Sequence, residues 1–162
     1  LKAFRDDNRV KFPTFFNAPV PCFGDPDPHI LIVGLAPGLK GANKTGRPFT
    51  GDYAGDLLYA TLLRHGLARG PYKQHANDDL ALVGCRIANA VRCVPPQNKP
   101  LPIEETTCRK FLVAEIAALP NLKTILALGV VAHNSVLRTF GFKLSGSPFK
   151  HGALHEIGRA HV

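Results

Sequence analysis

HILIVGLAPGLKGANKTGRPFTGDYAG, residues 29–55, is the stretch from which the fold of this chain can be read. It opens on Ile30-Leu31-Ile32-Val33, an apolar run rich in β-branched side chains. Such a run predicts a buried strand of a parallel sheet. Gly34-Leu35-Ala36-Pro37-Gly38 follows, then a polar loop punctuated by glycine, then a helix that begins near Asp52. Strand, glycine-rich loop and helix in that order build a ligand site at the carboxyl end of an α/β sheet.

Working outward, residues 1–9 predict the tail of a helix. Residues 12–27 hold Pro13, Pro19, Pro21, Gly24 and Pro26 and predict extended loop. Residues 52–66 carry Leu57, Leu58, Ala60, Leu62 and Leu63 at helical spacing and end at Gly66. Residues 70–79 are a polar loop. Residues 80–91 predict a second strand, stopped by Pro95-Pro96. Residues 103–119 predict a second helix, with Glu104 and Glu105 at its positive end and Phe111, Leu112, Ile116 and Ala117 on its core face. A third strand over 124–128 and a third helix over 130–140 complete the alternation. The expected fold is a three-layer α/β/α sandwich around a central parallel sheet, with right-handed crossovers. A last strand is expected after His151, beyond the chain.

With 162 residues and 45% apolar content, this is one globular domain with a real core. No apolar run approaches the ~20 residues of a membrane span. The chain starts at Leu1 with no secretory signal, which reads as a fragment or a processed start. Twenty Lys and Arg against 12 Asp and Glu give a net charge of +8. That excess favours a polyanionic partner, although its scattered distribution leaves a generally basic surface equally open. Cys22, Cys85, Cys93 and Cys108 form no Cys-x-x-Cys pair, and no disulfide framework is expected. The last six residues, 157–162, match an in-frame translation of a sequencing adapter and are expected to belong to no fold.

The loop residues carry the chemistry. Gly38-x4-Asn43-Lys44-Thr45 is a near miss to a phosphate-binding Walker A loop. Asn43 stands where glycine is required, and Gly46-Arg47-Pro48 prevents a helix from starting at the Lys-Thr, so nucleoside triphosphate binding is rejected. What remains is backbone amide, the Asn43 side chain, cations at Lys44 and Arg47, and an aromatic ring at Phe49. That set suits a flat heterocycle, with a core-filling Phe49 as the alternative. Asn89 sits inside the apolar run Ile87–Val91. A buried amide must find partners or cost about 1–3 kcal/mol, so Asn89 either reads a base edge or is satisfied within the fold. Cys93 lies in a rigid loop beside Arg92 and Pro95-Pro96, an odd place for a packing cysteine.

Together, GLAPGLKGANKTGRPFTGDYAG (34–55) and NAVRCVPPQNKP (89–100) resemble the uracil-DNA glycosylase superfamily, most of all its iron–sulfur family 5, with family 4 next. The resemblance covers residues 18 to about 152. It implies a hydrolase that flips uracil, with other deaminated bases as further candidates, out of DNA and cleaves its N-glycosidic bond. It implies that Gly34, Leu35, Ala36, Pro37 and Gly38 position the base and the attacking water. Phe49 would stack on the base and Asn89 would bond its edge. Family 4 carries a carboxylate where Leu35 stands, so Asn43 becomes the catalytic candidate. Cys93 and Cys108 match two of four ligands of a 4Fe–4S cluster, the other two being expected upstream of residue 1, while Cys22 and Cys85 match none. A histidine loop is expected beyond His151. A chain of this extent would then be truncated at both ends and inactive alone. The implied setting is the prokaryotic cytoplasm, with a monomer on uracil-containing DNA and no membrane contact. Two other readings stand beside this one: a non-catalytic nucleic-acid-binding module of the same fold, and a domain in which the four cysteines hold zinc.

Overall fold

The computed structural model describes residues 1–158. Helix α1 spans Lys2–Lys11, strand β1 Phe23–Gly24, strand β2 Ile30–Gly34, helix α2 Ala42–Thr45 and helix α3 Tyr53–Arg64. Strands β3 (Ala68–Arg69), β4 (Ala81–Leu82) and β5 (Cys85–Asn89) follow, then helix α4 (Pro102–Ala117), strand β6 (Thr124–Ala127) and helix α5 (Val130–Thr139). Short 3-10 turns occupy Pro96–Asn98 and Leu144–Gly146. No helix among the described residues is long and apolar enough to cross a membrane.

The main sheet has the order β1-β5-β2-β6. Strand β2 lies at its centre, parallel to β5 on one side and to β6 on the other. Side chains alternate across it. Leu31 and Val33 face α4 and α5, where they pack with Leu112, Leu119, Ala132 and Val136. Ile32 faces the other way, onto Tyr59 and Leu62 of α3 and Leu80 and Leu82 beside the β3–β4 hairpin. Both faces of the sheet are covered, which is why the central strands read as continuous apolar runs.

Three sequence expectations are corrected. The sheet is mixed, because β1 pairs antiparallel with β5 within what read as extended loop. The strand expected over 80–91 is two strands in different sheets. Gly84 turns left-handed between them, and its N–H donates to Asp25 Oδ2 at 2.9 Å. The glycine-rich loop contains the single turn of α2. Among the described residues no strand follows β6. Ile157, from the stretch matching an adapter, packs against the cluster around Leu31 and Val136, while 159–162 lie outside the described residues.

A further correction concerns Arg47, read as a cation of the ligand loop. It is 3% exposed and forms a two-pronged ion pair with the buried Asp78, Nη1 to Oδ1 at 2.7 Å and Nη2 to Oδ2 at 2.8 Å. Its Nε donates to Thr50 Oγ1 at 2.8 Å, and its guanidinium lies 5.0 Å from the Phe23 ring centroid and 5.2 Å from that of Tyr59. Asp78 also accepts from the backbone of Lys73 at 2.8 Å and Leu80 at 3.1 Å. Tyr59 is fully buried and donates to Pro48 O at 2.7 Å, and burial pushes its phenol up to about 12. The segment 47–50 is thus clamped from behind by charge and by hydrogen bonds.

The Arg47 guanidinium holds the Asp78 carboxyl well below its ordinary 3.8. The pair therefore stabilises the fold fully above that pH, and its contribution drains away as acid approaches the lower folded value. Asp78→Ala strands a buried guanidinium and is expected to cost about 3–5 kcal/mol in urea unfolding at pH 7. The deficit against the parent should shrink as the pH falls below about 4. A loss under about 1 kcal/mol at pH 7 would show that the clamp contributes little.

Candidate functional site

The site forms where β2 and β5 end together. Their register sets Gly34 directly beside Asn89. The pairing then continues into the loops, with Ala90 N–H to Gly34 O at 2.8 Å and Val91 N–H to Leu35 O at 3.0 Å. Leu128 N–H donates to Val33 O at 2.8 Å and brings the end of β6 to the same place. A cavity of about 210 Å³ opens there, lined by Leu35, Ala36, Gly38, Phe49 and Asn89, with Asp52, Asn98 and Leu128 completing its wall. That volume lies below the roughly 300–1,000 Å³ of drug-sized ligand sites and suits a single ring.

Asn89 is 8% exposed, and its Oδ1 is buried with no hydrogen-bond partner. An orphaned buried acceptor costs about 1–3 kcal/mol. The carbonyl half of this amide finds no partner among the described residues. Gly34 makes room for it: a Cβ at that position would lie 2.6 Å from Asn89 Oδ1 and 2.5 Å from Phe49 Cζ. The same contact brings the Phe49 ring and the Asn89 amide to one spot, the ring beside the carbonyl oxygen. Phe49 has a left-handed backbone, φ 51°. A bulky residue held there stores strain of order 1–3 kcal/mol, and the Arg47–Asp78 clamp on its neighbours keeps it in place.

Asn43 is placed differently from Phe49 and Asn89. Its side chain is 1% exposed, and its Nδ2 donates to Asn17 Oδ1 at 2.9 Å. Asn17 Nδ2 in turn donates to Phe12 O at 2.8 Å. The wall of the cavity is made by the preceding residue, Ala42. Asn43 fastens the ligand loop to the segment behind α1. Pro37 is buried and lies outside the cavity lining. Lys44 is exposed on α2.

Asp52 and Asn98 were missed in the sequence. Asp52 caps α3, its Oδ1 accepting from Gly55 N at 2.9 Å. Its Oδ2 reaches the loop closely enough that a Cβ on Gly41 would fall 2.1 Å from it. A carboxylate therefore does border the cavity, supplied by a helix cap instead of the position of Leu35. The signal was an acidic residue at the start of a helix, which capping alone explains. Asn98, exposed and left-handed with φ 55°, follows the equally left-handed Gln97 at the rim. Such pairs of strained residues gather at binding sites.

The two cysteines singled out by sequence lie past the carboxyl end of β5, Cys93 in the loop that leaves the strand and Cys108 on α4. Cys93 Sγ accepts from Arg5 Nη1 at 3.4 Å. Cys108, on α4, is buried, and burial pushes its thiol up, with Cys93 close enough to push it further. No group of three or more His, Cys, Asp or Glu among the described residues could hold a metal ion. The zinc reading, which needs all four cysteines together, is thereby lost: Cys85 is fully buried and donates to Leu67 O at 3.3 Å, and Cys22 packs under the α4–α5 face. Burial, with Glu115 beside it, pushes the Cys22 thiol up to about 12.

The family model for the uracil DNA glycosylase superfamily matches residues 21–160. The chain belongs to that superfamily. It is 46% identical over 149 residues to a type-5 uracil-DNA glycosylase of Thermus thermophilus, covering 91% of this chain and 68% of that protein. It is 45% identical over 148 residues to a type-5 uracil-DNA glycosylase of Mycobacterium bovis, covering 89% of this chain and 54% of the relative. A type-4 uracil-DNA glycosylase of Thermotoga maritima is 39% identical over 110 residues, 67% of this chain and 49% of its own length. The chain thus spans between about half and two thirds of the length of these relatives. Within the superfamily, the cavity at the Gly34–Asn89 junction falls at the carboxyl end of the sheet, where the strand–loop–helix order of residues 29–55 places it.

Proposed function

We propose that the whole protein of which this chain is part excises uracil from DNA by hydrolysis of the N-glycosidic bond. The observation that carries this is the unpartnered, buried Oδ1 of Asn89 in a cavity wide enough for one ring. Uracil presents N3–H beside O4, so a carboxamide can accept from the first and donate to the second. Cytosine presents the reverse order and pairs poorly with the same fixed amide. The Phe49 ring stacks on the base held in this way. Flipping the nucleotide out of the duplex costs a few kcal/mol, which phosphate contacts by the basic surface offset.

The Asp52 carboxylate takes the water-orienting role that sequence reasoning gave to Asn43. Its Oδ1 is engaged by the cap, and its Oδ2 faces the loop at Gly38 and Gly41. An oriented water attacks the sugar carbon as the C–N bond breaks, the departing uracil carries the negative charge, and the proton that the water sheds passes to the Asp52 carboxylate. Backbone dipoles of the loop at Leu35–Gly38 offset that charge, so no strong general acid is needed. The non-catalytic reading was motivated by Leu35 and loses its ground once a carboxylate borders the cavity.

Cys93 and Cys108 fit half of a four-thiolate iron–sulfur set. They are neighbours, and Arg5 already places a positive charge against Cys93. The described residues do not fill the other half. Such a cluster would brace the segment between β5 and α4, which carries Asn98, and is assigned no step in the reaction. Reconstituted with iron and sulfide, the full-length protein is expected to hold both. Cys93→Ser should release them, whereas undiminished iron in that variant would remove Cys93 from the ligand set.

Asn89→Ala in the full-length protein is expected to lower kcat/KM on uracil-containing duplex by about 10- to 200-fold, in line with a buried base edge left without its hydrogen-bond partners. The check is alkali-induced strand cleavage at abasic sites over a time course. Parent-like turnover in the variant would mean that Asn89 reads nothing, and absent cleavage by the parent would end the excision reading altogether.

A further inference from the structure

Arg5 precedes residues 21–160, the span that the superfamily model matches, and has no part in the excision chemistry. Helix α1 nevertheless sets it against Cys93, with Nη1 to Sγ at 3.4 Å. The helix begins beside α4, where Leu1 N lies 3.3 Å from Glu104 Oε1, and Cys108 stands one turn further along α4. The first turn and a half of α1 therefore lies against both elements that carry Cys93 and Cys108.

The charge of Arg5 is left unmatched. Arg9, one turn on, pairs with Asp6 at 3.2 Å, whereas no carboxylate pairs with Arg5 among the described residues. Arg5 Nε is buried and has no hydrogen-bond partner. Asn8, three residues on along the same face of the helix, is 3% exposed, and its Nδ2 is likewise unpartnered. Each such orphaned donor costs about 1–3 kcal/mol, and more where the group is charged. A neutral thiol is a weak acceptor and offsets little of that. A thiolate bonded to iron is an anionic acceptor, and four of them around a 4Fe–4S core leave a net negative charge. An unmatched guanidinium with a spare buried N–H suits that group.

We propose that Arg5 belongs to the surroundings of the iron–sulfur site, where its guanidinium donates to the Cys93 thiolate and raises the reduction potential of the cluster. The proposal rests on Cys93 and Cys108 being two of the cluster's ligands. Hydrogen bonds to ligand sulfur and a nearby positive charge favour the reduced form, which carries one more negative charge. The same bond fixes the direction of the Cys93 side chain, as outer partners of metal ligands do. Arg5 is a positioning residue, since it touches no substrate and takes no step in excision. The potential of the site is thereby set in part by a helix outside the span that defines the superfamily.

The test uses the full-length protein reconstituted with iron and sulfide. The midpoint potential is read by a dithionite titration followed by electron paramagnetic resonance, and iron release to a chelator is timed in parallel. Arg5→Gln removes the charge and the fork of donors. It is expected to lower the one-electron reduction equilibrium about tenfold, a fall of about 59 mV, and to release iron about 10-fold faster than the parent. Arg5→Lys keeps the charge on a single ammonium and should fall between the two. Faster iron release at the parent's potential would mean that α1 only props the loop, and would overturn the proposal. Should Arg5→Gln hold no cluster, Arg5→Lys is read in its place, and a potential equal to the parent's overturns the proposal. A parent protein that takes up no iron would sink the ligand set and this proposal together. Excision is scored separately on uracil-containing duplex, so that outcome leaves the base pocket standing.

Discussion

The parallel register between β2 and β5 is the constraint on which the site depends. It sets Gly34 beside Asn89 at the carboxyl end of the sheet and carries the pairing two residues further, into the loops that wall the cavity. A slip by one residue would turn every side chain of β2 to the other face. Leu31 and Val33 would leave the α4–α5 face, Ile32 would leave the α3 face, and Gly34 would no longer lie under the Phe49 ring. The two hydrophobic layers that fix the register therefore also fix the ligand site.

The second requirement is that Phe49 be held in a conformation its side chain disfavours. The structure meets it from behind, with the Arg47–Asp78 pair, the Arg47–Thr50 bond and the Tyr59–Pro48 bond all closing on residues 47–50. A buried ion pair is seldom the most stabilising use of a core position. Here it joins the ligand loop to residue 78, across the β3–β4 hairpin, and makes the aromatic wall of the cavity part of the rigid scaffold. Asn43 performs the same service at the other end of the loop, through Asn17.

Much of this was legible in the sequence. The three long helices and strands β2, β5 and β6 follow from apolar periodicity. The need of Asn89 for a partner follows from its place in an apolar run. Strands of two residues, such as β1 and β3, leave no periodic trace. The break at Gly84 was invisible because apolar residues flank it on both sides. Arg47 read as a free cation because its partner lies 31 residues away in a polar loop, and polarity alone does not reveal burial. Asp52 was hidden for the opposite reason, since its local capping role gives a sufficient account of an acid at that position. Asn43 and Asn17 are joined only by the fold. Side chains whose roles were misread are those whose partners lie far off in sequence.

The most direct measurement of the central claim is a titration of the full-length protein with free uracil, following the side-chain amide resonances of asparagine in ¹⁵N–¹H correlation spectra. The account predicts that the Asn89 amide pair, identified by its loss in Asn89→Ala, shifts on saturation with uracil and stays in place with an equal concentration of cytosine. An Asn89 amide that ignores uracil, or that shifts equally with both bases, would contradict it.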